Sequence, residues 1–227
     1  AVYSHPESGC VIIYESKSWQ TGSHLYALGV DGDGQIQDGW PVILSNLSGD
    51  QYYEHSVETA DGIFISFKDN TAGNYDMYGQ YLAFSGGLNF GDNGIAIEND
   101  GNSQEASSLA YNPGESKVLV CYETFDGSFN DINCKEINLA EQSISETIII
   151  SDNAYNQEAP NVYWSGDSYL IAWEDSRNSI SNNPEKDIYF QEYQNDHTTF
   201  NAGGEALCTY SQNQKRPLIA QYSLKSF

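Results

Sequence analysis

Positive charge is scarce in this chain. Nine Lys and Arg stand against 32 Asp and Glu, for a formal net charge of −23. Such an excess repels nucleic-acid phosphates and anionic bilayer surfaces, so neither is expected as a partner. No stretch approaches the ~18 consecutive apolar residues that cross a bilayer as a helix. The N-terminus carries no basic-then-apolar leader; its A-V-Y-S reads as the inside of a strand, as in a mature or excised piece of a larger protein. No G-x-S-x-G elbow or H-E-x-x-H helix occurs, and His5, His24, His55 and His197 are scattered without metal-ligand spacing. No segment shows an amphipathic helical period with caps.

Apolar residues make up 39% of the 227, with 17 Tyr and 20 Gly, a mixture that favours strands and tight turns. The order in it is periodic. Tyr14, Phe67, Tyr122 and Trp173 each end an apolar run, at steps of 53, 55 and 51. Asp76, Asp131 and Asp187 open the next extended run in three repeats, with His24 in the matching place of the first. Gln51, Gln104, Gln157 and Gln214 close the units. Three markers on one period indicate a repeat architecture. The repeats run over 1–51, 52–104, 105–157 and 158–214, and 215–227 begins a fifth. Each holds four extended segments, the second nearly continuous in apolar residues, as for a strand covered on both faces. The expectation is one all-β domain over 1–227: a β-propeller of four four-stranded blades plus one strand of a fifth repeat. The four periodic aromatics are expected between blades. The Asp series is expected to accept backbone hydrogen bonds at the start of each third strand. Pro217–Ser223 is expected to pair within the first blade, close to Val11–Tyr14.

W-E-D-S-R-N at 173–178 followed by D-I-Y-F-Q at 187–191 resembles a propeller repeat of large secreted or surface-anchored bacterial proteins. Phe67, Asp69, Asp76, Tyr78, Gln80 and Gly94 match it in the second repeat; the third departs at Thr124, Asn133 and Lys135, and the first at Ser16, His24 and Leu28. The resemblance implies an extracellular or cell-surface setting and an architecture rather than a chemistry. Sialidase-like enzymes, by the same kind of comparison, bind a carboxylate through three arginines. This chain offers only Arg177 and Arg216 and lacks their S-x-D-x-G-x-x-W box.

Candidate sites are correspondingly few. Trp19, Tyr52, Tyr53, Tyr75, Phe125, Phe129 and Tyr155 lie in segments that a propeller gathers on one face, among Asp, Asn and Gly. Exposed rings beside amides and carboxylates suit sugar stacking or protein contact. The first reading is therefore a non-catalytic extracellular module binding glycan or protein through this face. One alternative is a carbohydrate-active propeller enzyme with paired carboxylates, marked by two facing acids of which one is pushed upward in pKa. Another is a structural spacer of a surface protein. Asp31, Asp33 and Asp38 loosely resemble a calcium loop but coincide with a turn, so calcium is the one cofactor considered. If Thr124 faces Asp131, Cys121 falls opposite Cys134, as a disulfide or as two buried thiols; Cys10 and Cys208 have no local partner.

Overall fold

The computed structural model describes residues 1–5, 8–179 and 185–220, which form four antiparallel sheets in chain order. Blade one holds β1 (Val2–Ser4), β2 (Cys10–Ser18), β3 (Gly22–Val30) and β4 (Val42–Ile43). Blade two holds β5 (Gln51–Glu58), β6 (Gly62–Asp69), β7 (Asp76–Ala83) and β8 (Ile95–Glu98). Blade three holds β9 (Ser103–Asn112), β10 (Lys117–Phe125) and β11 (Asn130–Asn138), with β12 (Ser143–Ile144) and β13 (Ile148–Ser151) sharing its outer edge. Blade four holds β14 (Gln157–Trp164), β15 (Tyr169–Asp175) and β16 (Asp187–Gln194), with β17 (His197–Thr198) and β18 (Glu205–Cys208) again dividing the edge. The described residues contain no helix, hence none long and apolar enough to cross a membrane. The inner strands β5, β9 and β14 lie against one another about a common axis.

Period-two alternation makes the core. Ile63, Ile65 and Phe67 of β6 pack with Val11, Ile13, Leu25 and Ala27 of blade one. Phe64, between them in sequence, faces the other way and packs with Val118, Val120 and Tyr122 of blade three. Leu119 and Cys121 then meet Ile171 and Trp173 of blade four. The middle strands β6 and β10 thus bury both faces, which explains their unbroken apolar runs. Each buried aromatic of the repeat leans on the blade before it, and Phe67, Tyr122 and Trp173 are fully buried. Tyr14 departs from the expectation. No sheet precedes blade one among the described residues, so its ring stacks on Tyr26 at 5.6 Å and stays 36% exposed.

The repeat residues hold the blade together. Trp173 Nε1 donates to Asp175, and the Arg177 guanidinium bonds the same carboxylate while lying 3.9 Å over the Tyr189 ring. Gly94 and Gly204 carry backbone onto the aromatic: a Cβ on Gly204 would stand 2.5 Å from the Trp173 ring. The Asp series behaves differently from expectation. Asp76 and Asp187 accept from the side-chain amides of Asn74 and Asn178, whereas the turn N–H groups go to Asp69 and Asp175. Asp131 stands opposite Thr124, and Cys121 is bonded to Cys134.

Residues 214–219 open a fifth repeat in geometry as well as in sequence. The N–H of Gln214 donates to Lys186 O at 2.7 Å, as that of Gln104 does to Tyr75 O. Arg216 adopts φ 56°, matching Ala106 at 49° and Ala159 at 52° at the same place in their repeats. The N–H of Ile219 donates to Asn161, as that of Val162 does to Ser108. This segment therefore docks on blade four. The place expected for it beside Val11–Tyr14 is taken by Val2–Ser4, which pair there themselves; the remainder of the expected strand, 221–223, lies outside the described residues.

Candidate functional site

The residue after each repeat aromatic stands where one blade meets the inner strand of the next. In blades one, three and four it is Glu15, Glu123 and Glu174, whose carboxylates accept the N–H of Tyr53, Ala159 and Arg216, each at 2.8 Å. The left-handed turn at Ala159 and Arg216 aims those N–H groups at the acid. Blade two carries Lys68 instead, which cannot accept. Its ammonium turns to Glu54 and Glu105, at 3.3 Å each, and lies 4.8 Å from the Tyr75 ring centre.

Two pairs of acids face each other across strands: Glu105 opposite Glu123, and Glu158 opposite Glu174. Cross-strand neighbours stand roughly 5 Å apart at Cβ, close enough for two carboxylates to repel. The second pair shares the ammonium of Lys186, 2.7 Å from Glu174 and bonded to Glu158. Of the first pair only Glu105 has an ion-pair partner among the described residues. Glu123 is left with the Ala159 N–H on Oε1 and the Asn130 amide, 3.0 Å away, on Oε2. Burial pushes its carboxyl up to about 7, the Ala159 hydrogen bond opposes this, and Glu158 and Glu105 add to it. Glu123 therefore exchanges a proton near neutral pH, beside a Glu105 that is ion-paired with Lys68, which is the arrangement that acid–base chemistry requires. Glu105, Glu123, Phe125, Ser103 and Asn130 line one cavity of about 350 Å³.

The loop aromatics are only partly brought together. Phe125, 44% exposed, borders this cavity. Tyr52 and Tyr75 make an edge-to-face pair beside Lys68, and Phe129 leans on Tyr155 at 5.5 Å. Tyr53 turns inward, packing on the core between blades one and two with its hydroxyl on Ser56. Trp19 stands by itself, 92% exposed. Asp31 spends Oδ1 on the N–H groups of Asp33 and Gln35, which makes the 31–38 segment a side-chain-closed turn. Among the described residues no group of three or more His, Cys, Asp or Glu is placed to hold a metal ion. Sequence reasoning missed Glu105, Glu123, Glu158 and Lys186. The one available signal was the place after the aromatic, read Glu, Lys, Glu, Glu through the repeats.

No protein-family model matches the sequence, and no curated protein does. Among solved structures the chain is similar in fold to a thermostable family-43 glycoside hydrolase (TM-score 0.54, 10% identity, 94% of this chain and 77% of that one). It is similar also to an α-L-arabinanase of Penicillium chrysogenum complexed with arabinobiose (TM-score 0.56, 12% identity, 94% and 67%). A third is an endo-arabinase of Bacteroides thetaiotaomicron (TM-score 0.51, 13% identity, 92% and 80%). At these identities the likeness is one of fold, a β-propeller.

Proposed function

We propose that this chain is a carbohydrate-active propeller that cleaves a glycosidic bond over the Glu105–Glu123 cavity. The observation that carries the reading is the unequal treatment of the two facing acids: Glu105 is ion-paired with Lys68, while burial holds Glu123 protonated up to about pH 7. In the proposed step Glu123 gives its proton to the departing glycosidic oxygen as the bond to the anomeric carbon breaks. Glu105, at the short spacing of a cross-strand pair, bonds to that carbon, and a water oxygen then displaces it as Glu123 takes the water's proton. Phe125 supplies a ring face at the cavity's edge and Asn130 keeps Glu123 in place. The fold neighbours support a glycan substrate, since by name they are a glycoside hydrolase, an α-L-arabinanase and an endo-arabinase. The Cys121–Cys134 bridge and the repeat resemblance support an extracytoplasmic setting, as in secreted or surface bacterial proteins.

Binding without turnover, through the same face, is favoured by a different observation. The glutamate-to-backbone clamp recurs in blades one and four, where it serves the joint between repeats. Release of reducing sugar from arabinan, xylan, glucan, mannan and galactan separates the two. Hydrolysis expects turnover of at least one polymer and a loss of at least about 100-fold in kcat for Glu123→Gln, with binding of that polymer retained. Binding by the wild type without turnover of any of these polymers would leave only the recognition reading.

A further inference from the structure

The other ends of the strands carry a second opening, between blades three and four. Its floor is the rings of Tyr169 and Tyr193 and its wall is the half-buried Trp164, 4.7 Å from Tyr169 centre to centre. The cleft holds about 210 Å³. That is below the few hundred Å³ of sites enclosing drug-sized ligands and suits a single ring. Lys117 enters it, at 2.7 Å from Glu115 and 3.7 Å from Glu136. Asp167 and Asp196 complete the rim. The Asn195–Asp196 turn on the rim, left-handed at both residues with φ 52° and 62°, is the two-residue hairpin between β16 and β17.

The Tyr193 ring is buried, and its hydroxyl opens to the cleft with no hydrogen-bond partner among the described residues. The Tyr169 hydroxyl, by contrast, is satisfied by Lys117 O at 3.3 Å. A hydroxyl that faces the cleft and is not engaged by the protein is free to donate to a ligand oxygen there.

We infer that this cleft binds one saccharide unit bearing no anionic group. The Trp164 face stacks on the ring, Tyr193 and Lys117 donate to its oxygens, and the rim carboxylates accept from its hydroxyls. Four acids against one lysine repel uronates and sulfated sugars. Lys117 opens β10 and Glu123 lies six residues on, so roughly 20 Å of strand separates the cleft from the mouth. The cleft is thus a separate holding point for a polymer, and it does not depend on turnover at the mouth.

Titrations with the trisaccharides of arabinose, xylose, glucose, mannose and galactose, with trigalacturonate and with tetralysine test it. At least one neutral trisaccharide is expected to bind and trigalacturonate is not. Tyr193→Phe is expected to weaken that binding about tenfold with Tm unchanged, the loss of one hydrogen bond. Trp164→Ala weakens it further, while Glu123→Gln, which stops turnover at the Glu105–Glu123 cavity, leaves it unchanged. Saccharide binding indifferent to both Tyr193→Phe and Trp164→Ala, binding of tetralysine alone, or no binding by any neutral trisaccharide would overturn the inference.

Discussion

At the scale of the residue, Glu123 shows how a repeat position changes its chemistry through its neighbours. Glu15, Glu123 and Glu174 accept the same backbone hydrogen bond, but Glu174 has Lys186 beside it while Glu123 faces Glu105 and Glu158 from a buried place. The folded protein therefore holds a proton on Glu123 up to about pH 7, whereas an unfolded chain releases it near the ordinary carboxylate value. Between those limits the native state binds more protons than the unfolded one, so stability falls as pH rises through the window. Glu123→Gln should remove part of that decline, read as a smaller drop in Tm between pH 5 and pH 8. Asp131, raised by burial to about 6, and Glu54, Asp76 and Glu136, also raised by burial, keep the rest of the slope. If the variant's Tm falls as steeply as the wild type's, Glu123 is not the titrating group. None of this was legible in a chain with 32 acids, where any two can be imagined face to face. Only the register that sets Glu105 against Glu123 selects the pair.

At the scale of the strand, alternation was fully legible and edges were not. The middle strands and the hairpin that brings Cys121 to Cys134 follow from period and turn length alone. The outer edges of blades three and four break into two short pieces because two- to four-residue strands carry too few side chains for any pattern. Placing Tyr14 with the buried aromatics followed from period, but burial needs a neighbouring sheet, which period does not supply. The two positions should respond unequally to truncation. Phe67→Ala leaves a cavity between two blades and is expected to cost about 3–5 kcal/mol, against under about 1 kcal/mol for Tyr14→Ala at the open face. Chemical denaturation of both variants checks this; equal losses would mean that another surface covers Tyr14 in solution.

At the scale of the whole molecule, the four blades form an arc with unlike ends. Blade one exposes the face bearing Tyr14 and Tyr26, and blade four receives 214–219 as the first strand of a further repeat. Among the described residues, a chain ending at Asn213 loses the contacts of 214–219 to blade four. Its Tm is expected to fall by a few degrees, with amide exchange at Val11–Tyr14 unchanged. Faster exchange there would instead support pairing of the C-terminal strand with blade one.

The lean of each aromatic onto the preceding blade also has a direction in time. Phe67, Tyr122 and Trp173 find the inter-blade part of their cover in residues that leave the ribosome earlier than they do. A growing chain can therefore dock each ring as it emerges, the open apolar face of each finished blade serving as the template for the next.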